Sequence, residues 1–143
     1  MGAAPGRLGD ILPDDVHVFR AFAEKSYRHR KRKEVRYFAY LLREEDIEDG
    51  LSVGLTPEAA VRYLTTNEGY CKISVGAIHG LPHGLQVRRD LEDNEHAYIC
   101  NLPLRTTSEV ELGKAINIGN RLAEKSVVIT CDPYIPDAKN LPR

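Results

Sequence analysis

The segment "SEVELGKAINIGNRLAEKS", residues 108–126, decides the fold class. Ser108 and Glu111 have the spacing of a capping box, which predicts that a helix starts here. Apolar or small residues recur at helical spacing along one side of the segment: Leu112, Ala115, Ile116, Gly119, Leu122 and Ala123. We therefore predict a helix over 108–125 that buries Leu112, Ile116 and Leu122.

Segments on both sides of this helix have the alternation or the aromatic content of strands. "VVITCDPY" (127–134) follows the helix and predicts a final buried strand that stops at Pro133. Four further predicted strands are "VRYFAYLL" (35–42), "GLSVGL" (50–55), "GLQVRRD" (84–90) and "HAYICNLP" (96–103). Another is "GYCKISVGAI" (69–78), in which Cys71, Ile73 and Val75 share one face.

The segment "VHVFRAF" (16–22) allows two interpretations. Val16 and Val18 alternate with polar His17, which favours a strand, and this is our prediction. A helix that starts at Asp14 or Asp15 is the alternative, since several apolar side chains would then share one helical face.

A second helix is predicted for "TPEAAVRYLTTN" (56–67). Thr56 is a favoured N-cap residue, Pro57 suits the first helical position, and Glu58 lies in the positively polarised first turn.

The elements add up to six or seven strands and two main helices that do not alternate regularly. Such an order argues against a doubly wound parallel sheet. We predict an α+β fold, a mostly antiparallel curved sheet with helices packed on it. The length of 143 residues suits one domain, predicted over 14–136, with a flexible lead-in at 1–13 and a tail at 137–143.

Charge and composition constrain the function classes. Twenty Lys and Arg residues balance 21 Asp and Glu residues, whereas a dedicated nucleic-acid binder usually has a basic excess. No apolar run is long enough to span a membrane, and the N-terminus lacks a signal-peptide core. We expect a cytoplasmic protein without membrane contact, in which Cys71, Cys100 and Cys131 are buried free thiols.

The basic stretch "YRHRKRK" (27–33) is the main local departure from charge balance. It lies between two predicted strands, so we predict an exposed loop that favours anions. Interleaved Tyr27 and His29 would also suit RNA or DNA, where bases stack beside phosphate contacts.

Several common catalytic patterns do not occur in this sequence. It has no dinucleotide-binding glycine fingerprint, P-loop, paired CxxC or HExxH pattern. We do not predict a serine hydrolase. His79 and His83 are four residues apart, but the glycines and proline around them exclude a regular helix, so no metal site is predicted. The roles of His79, His83 and His96 stay open.

One order of residues resembles a known family. Arg20 lies mid-strand in "VFRAF", and Ser52 lies on a short strand that leads into a helix beginning at Thr56. This order is similar to the ADP-ribosyltransferase-like fold, including its small bacterial toxin-type members, over about residues 16 to 100.

The resemblance implies an NAD-dependent transferase or NAD glycohydrolase. By the resemblance, Arg20 would bind NAD, Ser52 would belong to the catalytic pocket, and Glu95 would polarise the ribose. Glu92 and Glu109 are alternatives to Glu95. Arg30 and Arg32 would then pair with the pyrophosphate of NAD.

Two other function classes remain from the sequence. One is a non-catalytic RNA-binding module that uses the basic loop 27–33. The other is a protein-interaction domain of a paired operon system, in which the chain contributes a binding surface to a protein partner.

Overall fold

A computed structural model describes residues 8–22, 28–29, 34–42, 50–62, 64, 67–103 and 109–130. In chain order the strands are β1 (Leu8–Ile11), β2 (His17–Ala21), β3 (Arg28–His29), β4 (Glu34–Val35), β5 (Leu51–Gly54), β6 (Tyr70–Ser74), β7 (Gln86–Asp90), β8 (Asp93–Cys100) and β9 (Val127–Thr130). The helices are α1 (Pro57–Val61), α2 (Val75–His79) and α3 (Glu109–Lys125), and a 3-10 helix spans Tyr37–Tyr40.

Within the described ranges, seven strands form one antiparallel sheet in the order β1-β7-β8-β5-β2-β6-β9. β3 and β4 pair with each other in a separate two-stranded ribbon. The α+β class with a mostly antiparallel sheet is thereby confirmed.

One face of the sheet carries the hydrophobic core. Side chains alternate along each strand, and the register pairs Val18 with Ile73 and Val53 with Ala97, all of them buried. α2, α3 and the 3-10 helix cover this face, to which α3 contributes Ile118 and Leu122. We call it the core face.

The opposite face of the sheet carries polar side chains. Ser52 alternates with core-facing Leu51 and Val53, and its register partner Tyr98 lies on the same side. α1 packs on this face at Gly54, where an added Cβ would come within 2.4 Å of the Ala60 nitrogen. We call it the polar face.

Several predicted strands are confirmed, with bounds that differ by a few residues. β2 shows that 16–22 contains a strand and excludes the helical alternative for His17–Ala21. β5, β7 and β8 lie within or overlap their predicted segments.

The helix after Thr56 is also confirmed: the Thr56 Oγ1 accepts a hydrogen bond from the Ala59 nitrogen at 3.1 Å. It ends at Val61, earlier than predicted, while residues 63, 65 and 66 lie outside the described part of the chain.

Two predicted strands were wrong over part of their length. In 35–42, Val35 ends a short strand and the aromatic residues that follow form the 3-10 helix, because Ala39 and Tyr40 pack into the core beneath α3. In 69–78 the strand ends at Ser74, whose side chain caps α2 by accepting from the Ala77 nitrogen at 3.0 Å. The apolar residues Val75 and Ile78 fit a buried helix turn equally well.

The long helix α3 is confirmed, and so is the burial of Leu122, but Leu112 and Ile116, which were also predicted to be buried, are not. Ala115, Ile118, Gly119 and Leu122 are buried, whereas Leu112 is 37% exposed and Ile116 is only partly buried. Both sets have helical spacing, so the sequence alone could not choose between them. Ser108, the predicted cap, lies outside the described residues.

The two edges of the sheet also differ from prediction. Among the described strands, β9 pairs with β6 alone, so it is an edge strand with Val127 and Ile129 exposed, not a buried strand. Leu8–Ile11, assigned to the lead-in by sequence, forms edge strand β1 and pairs with β7.

Candidate functional site

The polar face brings together a serine, a histidine and an aspartate from three neighbouring strands. Ser52 on β5 lies with its Oγ 2.5 Å from the Nε2 of His96 on β8. The other ring nitrogen of His96, Nδ1, is 3.5 Å from Oδ2 of Asp90 at the end of β7. We call Ser52, His96 and Asp90 the polar chain.

The strand register produces this arrangement. Gly54 pairs with His96 and Ser52 pairs with Tyr98, so the Ser52 and His96 side chains are diagonal neighbours on one face. The register of β7 shifts between Arg89 and Asp90, which brings Asp90 to the same end of β8 as His96.

Burial and hydrogen bonding define the electrostatics of the polar chain. Asp90 and His96 are buried, while Ser52 is partly exposed. The Asp90 carboxylate accepts a hydrogen bond from the Glu92 backbone nitrogen at 2.9 Å and one from the Tyr98 hydroxyl at 3.3 Å. These donors satisfy a carboxylate that would otherwise be costly to bury.

The neighbours of His96 favour one tautomer of its ring. A proton on Nδ1 faces the Asp90 carboxylate, and Nε2 can then accept the Ser52 hydroxyl proton. The edge of the Tyr98 ring packs against His96, with ring centroids 5.2 Å apart. A serine hydroxyl that donates to an oriented, neutral histidine is the arrangement that activates serine as a nucleophile.

The polar chain was not predicted, although the sequence carries a signal for it. Residues 50–54, Gly-Leu-Ser-Val-Gly, have the spacing Gly-x-Ser-x-Gly of many serine hydrolases, a class that was not predicted. The backbone around Ser52 differs from the nucleophile elbow of those enzymes, because Ser52 lies inside β5 and not on a sharp turn. Gly54 does allow α1 to fold back closely over the polar face.

Comparisons with protein families, curated proteins and solved structures find no match for this chain. The resemblance to the ADP-ribosyltransferase-like fold therefore stays a prediction.

Within the described residues, no helix is long and apolar enough to cross a membrane.

Arg20 contacts the backbone of Ser52 from the core face. Its Nη1 donates to the Ser52 carbonyl at 2.8 Å, and its Nε donates to the Ala39 carbonyl of the 3-10 helix at 2.8 Å. The guanidinium thus joins β2, β5 and the 3-10 helix. Arg20 and Ser52 are adjacent, but their side chains lie on opposite faces of the sheet.

Among the described residues, the Ser52 hydroxyl is hydrogen-bonded to His96 and not to Glu95. The Glu95 carboxylate pairs with Arg62 just after α1, and that same guanidinium is 2.9 Å from Asp93. Since side chains alternate along β8, Glu95 and His96 leave the strand on opposite faces. The alternatives Glu92 and Glu109 are exposed residues, the first in the turn between β7 and β8 and the second at the start of α3.

Arg30 and Arg32 lie outside the described residues. Within the basic stretch 27–33, Arg28 and His29 form β3 and pair with Glu34 and Val35 of β4, so the prediction of a loop was wrong for these two residues. The other residues of the stretch lie outside the described part of the chain. The predicted contacts of the stretch with anions, RNA or the NAD pyrophosphate stay predictions.

The His79 ring joins α2 to β7 and to the Asp14 side chain through hydrogen bonds. Its Nε2 accepts from the Val87 backbone nitrogen at 3.1 Å, while Nδ1 lies 2.9 Å from the Asp14 carboxylate. Among the residues that the structure describes, no group of three or more His, Cys, Asp or Glu side chains could hold a metal ion.

The described cysteines are free and buried, as predicted for Cys71 and Cys100, while Cys131 lies outside the described ranges. Tyr40 places its hydroxyl 3.4 Å from the Cys71 sulfur and 2.5 Å from the Ser126 hydroxyl. Burial raises the pKa of Cys71, and burial together with the nearby thiol raises the pKa of Tyr40. A protonated thiol is a weak nucleophile, which makes Cys71 a core residue and not a reactive one.

Proposed function

We propose that this protein is an acyl-transfer enzyme, a hydrolase of ester-type substrates, with Ser52 as its nucleophile. The observation that carries the proposal is the 2.5 Å distance between Ser52 Oγ and His96 Nε2, with the Asp90 carboxylate behind the ring. The three residues come from different strands, so the sheet itself holds them in place. Sites on rigid strands keep reacting groups aligned better than sites on loops.

The proposed reaction proceeds in two balanced halves. Ser52 Oγ attacks the carbonyl carbon of the substrate and its proton passes to His96 Nε2, which forms a tetrahedral adduct. The adduct collapses, the bond to the leaving alkoxide breaks, and the leaving group takes the proton from Nε2. Water then attacks the acyl-serine carbonyl carbon and gives a proton to His96 Nε2. The second adduct collapses, the bond between the acyl carbon and Ser52 Oγ breaks, and Oγ takes the proton from Nε2 as the acid leaves.

Asp90 has an orienting role in this proposal. Its carboxylate favours the Nδ1 proton and stabilises the imidazolium that forms when His96 accepts the serine proton. Tyr98 and the Glu92 backbone nitrogen in turn hold the carboxylate in position. The burial of Asp90 and His96 strengthens these interactions, because the effective dielectric constant is lower than in water.

A fluorophosphonate probe tests the proposal directly. Its phosphorus accepts the Ser52 oxygen, fluoride leaves, and the protein gains the mass of one phosphonyl group, which intact-mass measurement and peptide mapping locate. We expect one adduct at Ser52 in the wild type and none in Ser52→Ala. Labelling rates should fall by about 100-fold or more in His96→Gln, since the general base is lost.

The matched control is Ser74→Ala. Ser74 is also partly buried at the end of a strand, but it caps α2 instead of contacting a histidine. This variant should label at the wild-type rate. Labelling that is absent from the folded wild type, or that maps to other hydroxyl groups, would refute Ser52 as a nucleophile and leave the polar chain as a structural network.

The NAD-using transferase is a second candidate, since the hydrogen bond from Arg20 to the Ser52 carbonyl makes these two residues neighbours in the fold. Calorimetric melting with NAD tests it, because a bound ligand at about a hundredfold excess over its dissociation constant stabilises a protein by about 2.7 kcal/mol. Glu95→Gln should keep this shift and stop nicotinamide release, whereas Arg20→Ala should abolish the shift. An unchanged melting temperature at millimolar NAD would contradict this candidate without bearing on the serine mechanism.

A further inference from the structure

A cleft lies on the core-face side of the molecule, away from the Ser52 side chain. It has a volume of about 490 Å³ and lies between the first half of α3, the loop after α2 and the end of β8. Residues that line it include His83, Asn101, Pro103, Lys114, Asn117 and Ile118. The volume falls in the range of clefts that hold small molecules.

His83 gives this cleft an unsatisfied polar group. Its Nε2 atom is buried and has no hydrogen-bond partner anywhere in the described ranges. Buried polar atoms are nearly always paired, because leaving one without a partner costs free energy. An unpaired ring nitrogen in the wall of a cleft therefore indicates a ligand atom that would pair with it.

Asn101 marks the same cleft by its backbone. It is the one residue other than glycine with a positive φ, 73°, among those described. Its side-chain nitrogen donates to the Gly84 carbonyl at 3.0 Å, which ties the end of β8 to the loop that carries His83. Conformations of this kind are uncommon outside glycine, asparagine adopts them more readily than most residues, and they occur in turns as well as at functional sites.

The charges at the cleft have both signs. Lys114 Nζ lies 3.3 Å from Glu111 Oε1, one turn apart on α3, and both residues line the cleft. The adjoining walls include the apolar side chains of Pro103 and Ile118 and the amide of Asn117. A ligand that matches this wall needs an anionic group, a cationic group close to it, and a short apolar part.

We propose that this cleft binds a small zwitterion of the α-amino-acid type. The ligand carboxylate would accept from His83 Nε2–H and from Lys114, and its ammonium would donate to Glu111. The aliphatic side chain would rest on Ile118 and Pro103. The proposal does not depend on the chemistry at Ser52, which belongs to the other face of the sheet.

Three matched probes test the charge requirement: leucine, 4-methylpentanoate, which lacks the amino group, and 3-methylbutylamine, which lacks the carboxylate. Binding is followed by backbone amide shifts in two-dimensional NMR. We expect leucine to shift the amides of Asn101, Asn117 and Ile118. Each single-charge analogue should bind about tenfold more weakly or worse, since one charge-assisted contact is lost.

His83→Phe is the deciding variant. It retains a ring of similar size but removes the buried nitrogen, so leucine affinity should fall by about tenfold while the urea midpoint rises, since no unpaired polar atom remains buried. A merely structural histidine would lower the midpoint on replacement. Arg121→Gln, an exposed change on α3 outside the cleft, should alter neither property.

Two outcomes would overturn the proposal. One is the absence of amide shifts at about 10 mM leucine. This concentration exceeds a dissociation constant of about 1 mM, which corresponds to weak specific binding. The other is equal binding of leucine and either single-charge analogue. Ser52→Ala should bind leucine as the wild type does, so failure here and failure of the proposed acyl transfer are separable.

Discussion

Arg20 Nη1 donates a hydrogen bond to the Ser52 carbonyl at 2.8 Å, although the two side chains lie on opposite faces of the sheet. The Arg20 side chain supports β5 from the core face, while the Ser52 hydroxyl meets His96 on the polar face. The sequence order that resembles a transferase pocket thus brings the two residues together through the backbone. This geometry gives Arg20 a structural role that can be measured.

Replacing Arg20 by Met should lower the free energy of unfolding by about 1–3 kcal/mol. The aliphatic part of the side chain is retained, but the Ala39 and Ser52 carbonyls lose a charged donor in a partly buried setting. Urea denaturation measures the loss. Arg121→Met, at an exposed position of α3, is the control and should change stability by less than about 0.5 kcal/mol.

The buried stripe of α3 can be tested with two identical substitutions on one helix. Leu122→Ala should cost about 2–5 kcal/mol, because Leu122 is fully buried and its removal leaves a cavity. Leu112→Ala, at a residue 37% exposed, should cost much less. Equal losses in guanidinium denaturation would contradict the orientation of α3 in which Leu122 is buried and Leu112 is exposed.

Gly54 and Gly113 should respond in opposite directions to alanine. A Cβ at Gly54 would meet backbone atoms of α1, the nearest at 2.4 Å, so Gly54→Ala must displace α1 and destabilise the fold. A Cβ at Gly113 meets nothing within 4 Å, and Gly113→Ala should stabilise α3 by about 0.5–1 kcal/mol. Thermal unfolding of both variants checks the sign of each change.

The buried Cys71 and Tyr40 predict a loss of stability in alkaline solution. Both have a raised pKa in the folded protein, so the unfolded chain loses these protons first as pH rises. The stabilisation is complete below the ordinary thiol pKa of about 8.5 and declines above it, by up to about 1.4 kcal/mol per pH unit for each group.

Cys71→Ala separates the two contributions to this alkaline loss. The decline that begins near the ordinary thiol pKa should vanish, and the remaining decline should begin nearer the tyrosine range of about pH 10. Unfolding free energies measured between neutral pH and the alkaline range give the result. A wild-type stability that does not change with pH over that range would contradict the burial of the two groups.

The sequence by itself determined the elements whose signals are local. The Thr56 cap, the helix α3 and the strands β5, β7 and β8 follow from capping preferences and local strand signals, which act over a few residues. Together these elements were sufficient to predict the α+β class, and the sequence also marked Ser52 as a candidate site residue.

Only the tertiary structure decided which side chains meet. Residues 37–40 and 75–78 of two predicted strands are helical because packing against α3 and the sheet favours it, and periodicity in so short a run does not distinguish helix from strand. The partners of Ser52 lie 38 and 44 residues away along the chain, and a register shift in β7 brings Asp90 beside His96. Strand order and register result from the sum of contacts over the whole sheet, so no local pattern in the sequence could have placed these three side chains together.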